Sequence, residues 1–142
     1  MPTVDTGDSA NIVLQLSAQL AHVNKRLESV LSIHGISFTE FLVILNLSKV
    51  ANHSLRRVEL AESVGLTASG ITRVVAPMEK IGLVTKETNA RDARVSLVKL
   101  TKAGHTLLKD AAVTVNQVSE TILQPLTDGQ RKKLVNLLGS LN

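Results

Sequence analysis

The chain has 142 residues, the length of one domain or of a small domain with a dimerisation arm. Apolar residues make up 44% of it, enough for a core, but it holds two Phe and no Tyr or Trp, which argues against a single-strand binder that stacks bases on aromatic rings. It has no Cys, which excludes disulfides, thiolate zinc clusters and thiol redox sensing, and of its net charge of +4 all is contributed by residues 53–105, where nine basic side chains meet five acidic ones.

Residues 1–10 read as a disordered N-terminus. They carry Asp5 and Asp8 and no basic run ahead of an apolar one, so no secretory signal is expected. From Asn11 a helix is predicted, with Val13, Leu16, Leu20, Val23, Leu27 and Val30 spaced alternately three and four apart. This narrow stripe has to bury itself against another helix, of its own chain or of a partner. Gly35 ends the arm, 11–36. Ser37-x-x-Glu40 has capping-box spacing and opens a second helix to about Val50, with Phe41, Ile44, Leu45 and Leu47 inward. Asn52, His53 and Ser54 read as a polar connection.

A short helix is predicted over Arg57 to Val64, with Leu60, Ala61 and Val64 inward, broken by Gly65. Thr67 then caps a longer helix to about Lys80, with Ile71, Val74, Val75, Met78 and Ile81 on its apolar face. Short helix, glycine turn and longer helix make a helix-turn-helix pattern. After Gly82 the period changes: Leu83 to Thr88 and Arg94 to Leu100 are rich in Val, Leu and Thr and flank a polar tip, a β-hairpin in the place of a wing.

Thr101 caps a further helix whose stripe is Leu108, Ala111, Ala112, Val115, Val118 and Ile122, stopped by Pro125. Thr127-x-x-Gln130 opens a last helix carrying Leu134, Leu137, Leu138 and Leu141. The fold class expected is mainly α with a small β-hairpin wing: a winged helix-turn-helix, 37–102, between dimerisation helices at 11–36 and 103–142. A homodimer so built presents two basic modules, suited to a pseudo-palindromic double-stranded DNA site with reading helices about 34 Å apart. No apolar stretch approaches the roughly 20 residues of a membrane span, so no membrane partner and a cytoplasmic location are expected.

The stretch Ser37 to Leu108 resembles the MarR (multiple antibiotic resistance regulator) family of bacterial winged-helix regulators. The resemblance rests on Glu59 to Leu66, on Ile71 to Val75 followed by Met78 to Val84, and on Asp92-Ala93-Arg94 with Leu97 to Gly104. It implies a homodimer with interlocked terminal helices, a fourth helix in the major groove and a wing at the neighbouring minor groove. It also implies a small lipophilic or phenolic effector that lowers DNA affinity, in a pocket of the first, second and fifth helices. The function expected is sequence-specific transcription regulation, as a repressor and not an enzyme. The alternatives are a winged-helix protein–protein assembly module and a metal-responsive regulator.

Two departures from the family pattern stand out. Arg56 occupies a position often held by a Ser or Thr cap, and Pro77 lies inside the reading helix, where a kink or tolerant packing is expected at a cost of roughly 3 kcal/mol.

Ser69, Gly70, Thr72, Arg73 and Ala76 lie off the apolar face of that helix. Small residues there allow close approach to the groove, and the hydroxyls bond base edges or phosphates. Arg73 either contacts DNA or pairs with wing residue Asp92 to brace the hairpin, the second being favoured. Arg91 and Arg94 flank the tip and suit a narrow minor groove, while Asp92 orients Arg94 or Arg73. Arg56, Arg57 and Lys86 are weaker phosphate candidates. Lys99 and Lys102 equally fit a solvated face, and Lys25 and Arg26 are read as solvated. His22, His34, His53 and His105 are scattered without metal-ligand spacing, so no metal and no cofactor are expected.

Overall fold

The computed structural model describes residues 1–141. Six helices and three strands follow in the order α1 (Asp8–Leu31), α2 (Phe38–Ser48), β1 (Ser54–Arg56), α3 (Arg57–Val64), α4 (Ala68–Lys80), β2 (Val84–Thr88), β3 (Ser96–Leu100), α5 (Lys102–Leu123) and α6 (Asp128–Gly139). One-turn 3₁₀ segments at Ser32–His34 and Ala51–His53 join α1 to α2 and α2 to β1.

The local signals place most boundaries. Ser37 accepts from the Glu40 amide at 3.1 Å while Glu40 accepts from the Ser37 amide at 2.8 Å, a complete capping box. Thr67 and Thr101 cap α4 and α5 by the hydroxyl alone, accepting from the Gly70 and Gly104 amides, while Thr127 and Gln130 form a further capping box on α6. Gly35, Gly65 and Gly82 stand at positive φ in the turns that leave α1, α3 and α4. The first helix starts three residues earlier than Asn11, at Asp8 behind Gly7, and the last ends at Gly139, leaving Leu141 outside it.

One element is absent from the sequence reading. Ser54–Arg56, read as connection and helix start, is a strand that pairs antiparallel with β3, giving a three-stranded sheet of order β1-β3-β2. Three residues are too few to show a period of two, and only the neighbouring β3 specifies them as a strand. The hairpin strands are also shorter than predicted, so Arg94 sits in the tip turn and not in β3.

Helices and sheet close over one core. Leu31, Val43, Ile44, Leu47, Leu60, Ile71, Val75, Met78 and Val98 are fully buried, so α1, α2, α3, α4 and the wing base share it. The terminal stripes are different. Leu27 is buried against α5, but Val13, Leu16 and Leu20 on α1 and Leu137 and Leu138 on α6 remain exposed. Within one chain these helices have nothing to cover them. No single helix among the described residues is long and apolar enough to cross a membrane.

Pro77 does not break α4, which runs on to Lys80. Its missing N–H deprives the Arg73 carbonyl of a helical donor. Buried Val75 and Met78 on either side hold the helix in place, which is the tolerant packing allowed for above.

Candidate nucleic-acid interface

Helix α4 has two faces with opposite roles. Ile71, Val75 and Met78 enter the core, which forces Ser69, Thr72, Arg73 and Ala76 outward, and all four are exposed. At its start the Thr67 hydroxyl accepts from Gly70 N–H at 3.1 Å and lies 3.3 Å from the Ser69 hydroxyl. A Cβ on Gly70 would come 3.2 Å from the Thr67 hydroxyl, so glycine keeps the first turn slim and the cap undisturbed. The Thr72 hydroxyl is at present turned back onto the Ala68 carbonyl at 3.1 Å, and a rotamer change frees it for a ligand.

The wing follows directly. Leu83 N–H donates to the Met78 carbonyl at 3.0 Å and Gly82 N–H to the Glu79 carbonyl at 3.1 Å, a Schellman turn that passes the chain from α4 into β2. At the tip the Asp92 carboxylate accepts from the Arg94 backbone N–H at 3.0 Å. It also takes the Arg94 guanidinium at 3.1 and 3.3 Å, a forked pair that holds the arginine outward, with 90% of its side chain exposed. Arg91 is exposed, and its backbone N–H is tied to Asn89 at 2.9 Å. Lys86 is exposed on β2.

The structure decides between the roles left open for Asp92. It pairs with Arg94, and the favoured Arg73–Asp92 brace is not formed; Arg73 is exposed and makes no ion pair among the described residues. The reason is reach: the Asp92 side chain folds over its own turn, two residues from Arg94. Three of the basic side chains singled out in the sequence are also engaged within the chain. Arg57 lies 3.5 Å from Glu79, and Lys99 lies 3.4 Å from Glu87 across the sheet. Arg56 caps α3 through its partner, with Glu59 accepting from both its backbone N–H at 3.1 Å and its Nε at 2.9 Å. That contact also pulls the Glu59 carboxyl below its usual range.

The Arg94 guanidinium, and after it the Arg94 backbone N–H, hold the Asp92 carboxyl below the usual carboxylate range. A lowered folded-state value favours the ionised pair above the unfolded value, and the pairing is lost as pH falls through the folded one. Asp92 is therefore expected to titrate below an ordinary aspartate when its carboxyl carbon is followed by NMR, and Arg94→Gln to move the midpoint up. A midpoint that ignores the substitution would show that the pair does not hold in solution.

The residues that sequence reasoning missed are Glu79, whose partner lies in another helix, and Gly104, which faces the base of the wing. A Cβ on Gly104 would fall 2.2 Å from the Leu83 carbonyl oxygen. Away from α4 and the wing, His34 bonds Thr114 of α5 at 2.7 Å. A groove of about 180 Å³ lies between α1 and α5, lined by Val23, Leu27, Ser119, Ile122 and Leu123. Among the described residues no three His, Asp or Glu side chains gather as a metal site.

The fold is shared with solved regulators. The chain matches Sco3205, a MarR family transcriptional regulator from Streptomyces coelicolor solved in complex with DNA, with a TM-score of 0.86 and 22% identity over 99% of this chain and 89% of that one. It matches a MarR variant from E. coli complexed with operator DNA at a TM-score of 0.78 and 24% identity, over 95% and 99% of the two chains. CouR from Rhodococcus jostii RHA1, bound to p-coumaroyl-CoA, matches at 0.82 and 22%, over 96% and 95%. The model of the MarR family matches residues 36–96, from the start of α2 to the start of β3. Over residues 36–96 the chain resembles the MarR family, and it shares the winged-helix fold of these solved structures.

Proposed function

We propose that the protein is a sequence-specific, double-stranded-DNA-binding transcription regulator of the cytoplasm. In this reading it is a repressor that works as a homodimer and performs no catalysis. The observation that carries the reading is the outer face of α4: Ser69, Thr72 and Arg73 stand exposed on a helix whose other side is locked into the core, with Arg91 and Arg94 exposed on the wing that follows. A rigid helix with small and hydroxylated residues fits a major groove, and two arginines on a thin hairpin fit a minor groove. The solved relatives bound to DNA support this use of the fold.

The exposed apolar rows of α1 and α6 support the dimer, because rows of Leu and Val of this extent are stable in water only when covered. A second copy brings the same rows and a second reading head, which a two-fold-symmetric site requires. The effector of this reading is a small lipophilic or phenolic compound, and the phenolic end of the p-coumaroyl-CoA bound to the solved relative is of that chemistry. The adjacent α1–α5 groove and the His34–Thr114 pair mark the region it would occupy.

Selection from a random-sequence duplex library, followed by fluorescence anisotropy on the enriched duplex, tests the reading. The dimer should prefer that duplex over a scrambled one by at least roughly 1,000-fold at physiological salt. The log–log salt slope should be about −0.9 for each phosphate neutralised. Equal binding of every duplex, or none, would leave the assembly-module reading in its place.

A further inference from the structure

We infer that Arg57 and Glu79 form an internal strut that fixes how α3 crosses α4 and thereby aims the reading helix, so that Arg57 is a positioning residue and not a phosphate contact. The functional half of this rests on the proposed reading of α4 as the DNA-reading helix. Arg57 Nη2 lies 3.5 Å from Glu79 Oε1, and the two side chains keep only 25% and 26% of their exposure. Arg57 Nη1 and Glu79 Oε1 are themselves shut off from solvent, without hydrogen-bond partners. A charge pair so enclosed is screened far less than the open pairs of this chain, such as Arg94–Asp92.

The positions carry a second, independent argument. Arg57 is the first residue of α3 and Glu79 lies in the last turn of α4. Each therefore opposes its own helix dipole, a cation at a positive end and an anion at a negative end. Neither residue gains by standing there except through the other. The pair also falls where α4 needs it: Pro77 has removed a backbone hydrogen bond two residues before Glu79, which weakens the tie between the reading half of the helix and its end. Anchoring Glu79 to α3 restores that tie from outside the helix.

The test uses the full-length protein, the duplex it enriches from a random library, and three variants: Arg57→Ala, Glu79→Ala and the exchange Arg57→Glu with Glu79→Arg. Each single variant should lose roughly tenfold in affinity with an unchanged salt slope, and the exchange should return to within about threefold of the parent. The exchange should also melt at or above the parent, because it places each charge at the helix end that favours it. A loss confined to Arg57→Ala, with a slope shallower by about 0.9 per lost phosphate, would overturn the strut and make Arg57 a backbone ligand. So would an exchange variant that stays as weak as the singles. If no duplex is enriched, the DNA reading fails by itself, and melting of the same proteins decides the strut: coupled losses restored by exchange support it, additive losses overturn it.

Discussion

Gly104→Ala is expected to destabilise the protein by roughly 1–3 kcal/mol, although the same change in an open helix stabilises by about 1 kcal/mol. The sign reverses because Gly104 lies in the first turn of α5 with its α-carbon against the wing base. A methyl group there would sit 2.2 Å from the Leu83 carbonyl oxygen and 2.7 Å from Leu100 Cδ1. The backbone oxygen has little freedom to retreat, since it already accepts from the Thr101 amide at 3.2 Å and the Thr101 hydroxyl at 3.0 Å. Either α5 lifts off the sheet or the start of β2 and the end of β3 yield, and both disturb the join between the wing base and α5. Thermal unfolding at fixed protein concentration should show a drop of roughly 3–10 °C. Gly139→Ala, with open space around it, is the matched control and should leave the midpoint unchanged or raised. A Gly104→Ala protein as stable as the parent would mean that the helix does not approach the wing so closely.

Arg94→Ala should lower affinity for the selected duplex by about 1–3 kcal/mol per wing while the protein remains dimeric. The physical ground is the Asp92 fork, which holds the Arg94 side chain outward on a two-stranded hairpin. An arginine already positioned loses less side-chain entropy on entering a groove than one that must be ordered on contact. Asp92→Asn should cost less than Arg94→Ala, because it loosens the arginine without removing its charge. Anisotropy titrations with sedimentation of the same samples measure both quantities, and an Arg94→Ala protein that binds as tightly as the parent would remove the wing from the interface.

Most of the chain's one-dimensional signals translate directly into structure. The four side-chain caps, the three glycine turns, the apolar row of α2 and that of α4 from Ile71 to Met78 rest on contacts within four or five residues, where spacing is geometry; Ile81, expected on the same row, is exposed because α4 ends at Lys80. For the same reason the outward residues of α4 follow from its inward ones. The fork between Asp92 and Arg94 is local as well. Sequence alone left it undecided because Arg73 competes for the same carboxylate on charge, and only distance separates the two.

What escaped the linear reading joins parts of the chain far apart. Strand β1 is three residues long and exists because β3, more than forty residues later, supplies its hydrogen bonds. The Arg57–Glu79 pair and the Gly104–Leu83 approach depend on how helices cross, an angle set by the whole core. Local order, the outward face of α4 and the basic charge of the segment around it were therefore written in spacing and composition. Which charges are free to meet a phosphate, and which are spent on one another, was decided by tertiary packing, because Coulomb energy depends on separation and burial and neither is a property of the linear chain.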